Sequence, residues 1–342
     1  MNAPKNLSKK VKRVCVIGSN SFTGSHFIKY LLDNTNAEIL TISRSLQSNQ
    51  VFLPYSLKIL SSHRFSFHRI DLNNEFDNFT ELCSEFKPQV VVNFAAQGEV
   101  RNSWNWPTQW YKTNCIATVK IAEFLKDKKY LFRYVTASTP EVYGTTGKNI
   151  SENTDFKPST PYAVSKLAGD LHLGALHKRH GFPVVFTRAA NLYGIHQQLY
   201  RIIPRTIIYL KLNKIIELHG KGLSQRAFIH GRDIAEGTWK AVTNGTNGQV
   251  YHLSPHDGLI SIKDLVKMIC REMNYDFEKA THPIDENFGQ DAIFSLDSSK
   301  AKSELGWSAK VNLLDGIQET IEWIENNWGF IREQSFVYSH KE

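Results

Sequence analysis

Arg13-Val14-Cys15-Val16-Ile17-Gly18-Ser19-Asn20-Ser21-Phe22-Thr23-Gly24 is the stretch on which the reading of this chain turns. Val14, Val16 and Ile17 are β-formers, and the run stops at a glycine, so residues 13–18 read as a buried strand. Beyond Gly24 the apolar residues Phe27, Ile28, Leu31 and Leu32 recur on one helical face, which places a helix up to about residue 32. Residues 38–43 read as a second strand. A strand, a glycine turn, a helix and a strand in that order form the setting in which backbone amides at a helix N-terminus hold a dinucleotide pyrophosphate. Gly18 and Gly24 take the outer positions of a G-x-G-x-x-G turn, and Ser21 stands in the middle one. Gly18, Ser21, Phe22, Thr23 and Gly24 are therefore the first candidate cofactor residues. The second strand ends in Ser43-Arg44-Ser45, where an acidic residue would hold the ribose hydroxyls of NAD. An arginine suits a 2′-phosphate and favours NADP. The other reading of Arg44 is a surface charge, and it stays open here.

The alternation continues along the chain. Residues 65–70, 89–95, 132–137 and 183–188 read as strands, and residues 75–86, 108–125 and 159–180 as helices. The expected fold class is α/β, with a doubly wound parallel sheet covered on both faces. Ligands of such a sheet bind beyond the carboxyl ends of its strands. After Asn191 the pattern weakens. Helices over 202–212, 262–273 and 313–326 and a short strand over 250–253 read as a smaller C-terminal lobe. The expected division is a dinucleotide domain over 1–190, with 220–255 returning partly to it, a substrate lobe over 191–330, and a loose polar tail over 331–342.

Composition excludes several classes. Of 342 residues, 41% are hydrophobic and 22% charged, an ordinary globular balance. No apolar run approaches the ~20 residues of a membrane-spanning helix, and the run after the basic N-terminus is too short for a signal-peptide core. Cys15, Cys83, Cys115 and Cys270 are scattered and read as reduced thiols of a cytoplasmic protein. The net charge of +8 is spread along the chain, apart from Lys9, Lys10, Lys12 and Arg13, with no nucleic-acid motif. The pairs His177/His180 and His252/His256 lack partners at ligand spacing, so no metal site is expected.

The chemistry lies in Ser138-Thr139-Pro140-Glu141-Val142-Tyr143-Gly144, at a strand end, and in Tyr162-Ala163-Val164-Ser165-Lys166, at a helix start. Tyr162 and Lys166 are one helical turn apart. A nearby ammonium lowers the phenol pKa, which makes Tyr162 a base for an alcohol, with Thr139 on the same oxygen. The bland alternatives are a chance Tyr–Lys spacing, and a Glu141 that only satisfies backbone amides.

With these motifs in order along nearly the whole chain, the sequence resembles the extended short-chain dehydrogenase/reductase family, and within it the nucleotide-sugar 4,6-dehydratases and epimerases. The matching stretches include Asp71-Leu72, Asn93-Phe94-Ala95-Ala96-Gln97, Ser103-Trp104 with Pro107, Thr113-Asn114, Arg188 with Asn191-Leu192-Tyr193-Gly194, Arg226-Ala227-Phe228-Ile229, Arg232-Asp233-Ile234-Ala235 and Lys302-Ser303-Glu304-Leu305-Gly306-Trp307. The resemblance implies a Rossmann-type sheet and a tightly bound NAD or NADP held also by Asp71, Leu72, Ala95, Ala96, Gln97, Tyr162 and Lys166. It implies a nucleotide-diphosphate sugar as substrate, touching Glu99, Ser103, Asn191, Arg201, Arg226 and Asp291. It further implies that Tyr162 takes the sugar 4-hydroxyl proton while C4 yields hydride to the nicotinamide. Glu141 then removes the C5 proton, the 6-hydroxyl leaves and hydride returns to C6.

The sequence departs from that family at two places. Pro140 stands where the dehydratases carry an aspartic acid that protonates the leaving hydroxyl, and proline has no ionisable group. Asn287 stands where an arginine is usual near Gly289 and Asp291. Glu141 acting as both base and acid, another donor such as Glu99, Tyr143 or water, and an enzyme that stops at C4 epimerisation, 4-keto reduction or an altered elimination are all compatible with Pro140. A dinucleotide-binding sensor is the reading from another class, and intact Thr139, Tyr162 and Lys166 argue against it. By analogy the chain is expected to form a homodimer through helices 108–125 and 159–180.

Overall fold

A computed structural model describes residues 11–56, 59, 63–144, 149–255, 258–285 and 293–340, without the side chains of 293 and 294. Alternation in the strands sets the architecture. Strands β1 (Arg13–Ile17), β2 (Glu38–Ser43), β3 (Phe65–Arg69), β4 (Val90–Asn93), β5 (Arg133–Ala137) and β6 (Val184–Ala189) precede the short β7 (Asn191–Tyr193), β8 (Ile216–His219), β9 (Gln225–Arg226) and β10 (Phe228–His230). They are followed by β11 (Val250–Leu253), β12 (Ile260–Ser261), β13 (Thr281–Ile284) and β14 (Ile293–Phe294). Seven strands form one sheet in the order β11-β6-β5-β4-β1-β2-β3, and every pairing in it is parallel.

Because successive side chains point to opposite faces, each strand feeds two cores. Val14, Val16, Val90, Val92 and Val135 pack on one face against α1 (Phe22–Asn34) and, through Ile234, Trp239 and Val242, α7 (Gly231–Asn244). Cys15, Ile17, Val91, Tyr134 and Val184 point to the other face. There they meet α2 (Phe76–Phe86), α4 (Ala117–Leu125) and α5 (Pro161–His180). Chain segments that would otherwise belong to the small lobe, α7 and β11, thus complete the large one.

The small lobe has its own core, formed by Ile203 and Ile207 of α6 (Ile202–Lys211), Leu265 and Ile269 of α8 (Ile262–Glu272), and Ile317 and Ile324 of α10 (Leu313–Asn326). Two-strand pairings β7–β10 and β8–β13 and the set β12-β9-β14 tie it together. The remaining α-helices among the described residues are the single turns α3 (Pro107–Trp110), α9 (Phe277–Ala280) and α11 (Trp328–Ile331).

Three local expectations are corrected. Helix α5 begins at Pro161 rather than at 159, because Thr160 caps it by accepting from the Ala163 N–H at 3.1 Å and proline suits the first helical position. Between α3 and α4 the helix widens into a π segment, Tyr111–Ile116, instead of running uniformly. The expected loose tail is placed: Tyr338 packs edge-on against Tyr200 at 5.3 Å, and His340 stacks on Trp106 at 4.5 Å and Trp110 at 5.2 Å. The aromatic contacts outweigh the polar character of the segment.

Candidate active site

The sheet order reverses between β1 and β4, and ligands of open α/β sheets bind in the crevice at such a reversal. Gly18 ends β1 with φ +80° and lies so close to the β4 end that a Cβ would sit 2.5 Å from the Ala95 nitrogen. A Cβ on Gly24 would strike the Gly18 carbonyl oxygen. Ser21 explains its own presence: its hydroxyl accepts from the Gly24 N–H at 3.0 Å and caps α1, so the middle position carries a cap in place of a third glycine. Phe22 is buried at the start of the helix and Thr23 half-buried beside it. In the same turn the Ser19 hydroxyl and the Asn20 Oδ1 are buried without a hydrogen-bond partner. Two glycines at close backbone approaches, an α1 N-terminus and two unmet buried polar atoms fit a dinucleotide.

Asn20 also donates to the carbonyls of Ser45 and Leu46, at 3.2 and 2.7 Å, and so holds the loop after Ser43 and Arg44 against the glycine turn. Arg44 and Arg69, from neighbouring strand ends, line one open depression with Ser45, Leu46 and Ser48. Asp71 closes its own turn by accepting from the Asn73 N–H at 2.9 Å and the Asn74 amide at 2.8 Å, and Leu72 is buried beneath it. After β4, the Ala95 N–H donates to Asn93, and Ala96 follows at the surface. Gln97 is clasped at its backbone by Asn114, which accepts at 2.9 Å and donates at 3.1 Å. Asn114 lies in the π segment and donates again to Ser165 of α5 at 3.0 Å, so one buried amide joins the β4 loop to the helix of Tyr162.

Thr139, Pro140 and Glu141 follow β5 directly. Thr139 is buried and caps the 3-10 helix Pro140–Tyr143, accepting from the Glu141 N–H at 3.3 Å. Pro140 occupies the first position of that turn, where a missing N–H costs nothing. Tyr162 and Lys166 face this turn from α5. Burial pushes the Tyr162 phenol above its ordinary value, the Glu141 carboxylate pushes it further, and hydrogen bonding with Thr139 and the Arg201 charge pull it back. Thr139, Glu141 and Tyr162 are therefore brought together. The Lys166 ammonium donates to the Ala137 carbonyl at 2.7 Å. Burial lowers the Lys166 pKa, and Asp170 opposes that shift.

The remaining candidates sit around this centre. Glu99 and Arg201 lie 3.7 Å apart, and Arg201 also stacks on Tyr200. Ser103 is fully buried, with its hydroxyl donated to the Val100 carbonyl at 2.6 Å. Asn191 is exposed on β7 beside Phe228 of β10, and Arg226 is buried on β9. Asp291, with Asn287, Gly289 and His256, lies outside the described residues. Among the described residues no group of three metal-ligating side chains occurs. Tyr143 is withdrawn as a proton donor to substrate: it is buried and its phenol oxygen is engaged by Arg188 at 2.6 Å and His252 at 2.8 Å. Sequence reading missed Ser19, Asn20, Arg69 and Asp170. Asp170 had a signal, since it follows Lys166 by one helical turn.

A crevice at the sheet reversal, a glycine cradle and a Thr–Tyr–Lys set at the β5 end define a dinucleotide-dependent enzyme of the short-chain dehydrogenase/reductase type. The chain belongs to the GDP-mannose 4,6 dehydratase family, whose model it matches over residues 15–320. It is 29% identical over 344 residues to a probable dTDP-glucose 4,6-dehydratase of Sinorhizobium fredii, covering 96% of this chain and 97% of that protein. Its structure is similar to that of the dTDP-glucose 4,6-dehydratase of Bacillus anthracis in complex with NAD, with a TM-score of 0.84 at 27% identity, over 93% of this chain and 98% of the other. It is also similar to the UDP-glucuronic acid 4-epimerase of Bacillus cereus in complex with UDP-glucuronic acid and NAD, with a TM-score of 0.83 at 26% identity, over 92% and 99% of the two chains.

Proposed function

We propose that this protein is an NAD(P)-dependent nucleotide-sugar dehydratase of the 4,6 type. The observation that carries the reading is Glu141 held on the same turn as Thr139 and acting electrostatically on the Tyr162 phenol. A C4 epimerase needs no carboxylate there. The relatives named as dehydratases point the same way.

Gly18, Ser21, Phe22, Thr23 and Gly24 would hold the pyrophosphate, Ser43 and Arg44 the adenosine ribose, Asp71 and Leu72 the adenine side, and Ala95, Ala96 and Gln97 the middle of the cofactor. When bound, its oxidised nicotinamide would supply a hydride-accepting carbon and a positive charge. With its raised pKa the phenol is a weak acid at neutral pH, so it becomes a base as positive charge gathers near it. Tyr162 then takes the 4-hydroxyl proton, Thr139 orients the same oxygen and Lys166 fixes the helix against β5 while reaching the cofactor ribose. Glu141 takes the C5 proton and, with Pro140 beside it and Tyr143 committed elsewhere, returns a proton to the departing 6-hydroxyl. Glu99, Ser103, Asn191, Arg201, Arg226 and Asp291 form the substrate side, with arginines suited to a diphosphate.

The paired arginines Arg44 and Arg69 favour NADP over the NAD that the compared structures contain. Exposed Tyr111, Ile116, Val164 and Leu171, on the π segment and α5, support a homodimer through these helices. Free cysteines support a cytoplasmic setting. Pro140 favours a second reading, a C4 epimerase or 4-ketoreductase. The purified protein, incubated with UDP-, dTDP-, GDP- and CDP-hexoses, separates the readings by product mass. Loss of water without added reductant supports the dehydratase. An isomer of unchanged mass supports epimerisation, and stoichiometric NADPH consumption supports reduction. Retained dinucleotide binding with no turnover of any sugar overturns all three.

A further inference from the structure

The turn that bears Thr139 and Glu141 is a single 3-10 turn, too short to hold its own position. The Lys157 N–H donates to the Val142 carbonyl inside it at 2.9 Å, and side chains on either side add further anchors. Ser138, just before Thr139, donates its hydroxyl to Asp170. Tyr143, two residues after Glu141, accepts from the Arg188 guanidinium at 2.6 Å. The same guanidinium donates to Asp170 at 3.1 Å, approaches the Ser138 hydroxyl at 3.5 Å, and lies over the rings of Tyr143 and Phe156 at 4.8 and 5.2 Å. Arg188 is 1% exposed and Asp170 8%.

The far side of Tyr143 is fixed as well. His252 presents Nδ1 to two carbonyls, Ile150 at 3.1 Å and Asp297 at 3.2 Å, so that nitrogen carries the proton. Nε2 is then the acceptor, and Tyr143 donates to it at 2.8 Å. A directed chain runs from Arg188 through Tyr143 to His252. Asp170 stands on α5 one turn beyond Lys166, so Arg188 on β6 touches both ends of the turn and the helix of Tyr162.

We propose that Arg188 and Asp170 are positioning residues that set the distance between Glu141 on the turn and Tyr162 on the helix, with Ser138 and Tyr143 as the two side chains through which they hold the turn. This rests on the reading of Tyr162 and Glu141 as the reacting pair. It also accounts for how a turn with proline in place of an acid keeps a defined pose: Pro140 removes backbone freedom while the flanking side chains fix its direction.

The test uses the full-length chain. Tyr143→Phe keeps the ring and removes the hydroxyl, and Ser138→Ala releases the other end. Both avoid leaving Asp170 or Arg188 as a lone buried charge, which would endanger folding. Amide hydrogen exchange of the 138–144 peptide, dinucleotide affinity, and kcat and KM for the sugar nucleotide that the wild type converts are measured together. Tyr143→Phe is expected to speed exchange of that peptide about tenfold and lower kcat about 10- to 100-fold, the scale of a misplaced reacting group, with KM and dinucleotide affinity within about twofold. Exchange and kcat both within about twofold of wild type overturn the proposal, as does a kcat loss that only tracks the fraction folded. A wild type inert toward every sugar nucleotide sinks the proposed function alone. The exchange arm then still decides: an unchanged 138–144 peptide overturns the clamp, and faster exchange supports it.

Discussion

The Lys166 ammonium donates to the Ala137 carbonyl oxygen at 2.7 Å, tying the helix of Tyr162 to the last residue of β5. The bond is partly buried and helps fix where the phenol stands relative to Thr139, two residues further on. Tyr162→Phe is expected to lower turnover about 10²- to 10⁴-fold, the contribution of a lost proton-transfer group. Circular dichroism and cofactor affinity should stay as in the wild type. Normal turnover in that variant removes the proposed mechanism.

The glycine turn makes separate demands on stability and on binding. Ser21→Ala removes the α1 cap and is expected to cost about 1 kcal/mol in urea unfolding. Gly24→Ala places a methyl group against the Gly18 carbonyl oxygen. Dinucleotide affinity should fall about tenfold or more, equivalent to about 1.4 kcal/mol. Equal affinity in Gly24→Ala and wild type, read by equilibrium dialysis, would count against the cradle.

Arg44 and Arg69 line the depression at the β2 and β3 ends. Charge-assisted hydrogen bonds contribute about 1.5–3 kcal/mol, so Arg44→Ala should weaken NADP binding about 10- to 100-fold and leave NAD binding nearly unchanged. Parallel fluorescence titrations with both dinucleotides read the ratio. An equal loss for both, or none for either, removes the 2′-phosphate assignment.

Buried histidines set an acid limit on stability. Burial lowers His26 and His252 to about 3 and His230 to about 4, from ordinary values near 6.5. His26 faces His230, His196 and Arg232, and Arg188 adds to the depression at His252. The native rings stay neutral while the unfolded chain takes up protons below about pH 6.5. Stability is therefore level above that pH and declines as pH falls towards the folded values, by on the order of 1 kcal/mol per histidine per pH unit. Urea midpoints between pH 7.5 and 5 should show the decline, with a smaller slope in His252→Gln.

The tail contact can be tested by removing residues 337–342. His340 leaves the faces of Trp106 and Trp110, pairs expected to contribute about 0.5–1.5 kcal/mol each. Tryptophan emission should shift to the red and thermal stability should fall. Unchanged emission would mean that the stack does not form.

Local pattern carried most of the large lobe. The apolar run before Gly18, the helix face after Gly24 and the repeated strand–helix order are consequences of side-chain periodicity, which the sequence displays directly. The residue sets around Gly18 and Tyr162 could be named before any coordinates from glycine spacing, their place at strand ends and the family resemblance. Chain-distant relationships could not. Asn114 reaches both Gln97 and Ser165, Arg188 gathers Ser138, Tyr143 and Asp170, and His340 inserts beside Trp110, each across a separation that no periodicity encodes. The Lys166 partner belongs with these: i, i+4 spacing puts Lys166 and Tyr162 on one face, but only packing of α5 on β5 brings a carbonyl within 2.7 Å of the ammonium. The sequence alone thus determined the sheet, the glycine turn and which residues stand as candidates at the strand ends. The tertiary structure decided their partners and charge states, because burial and long-range contacts arise only once distant segments are packed together.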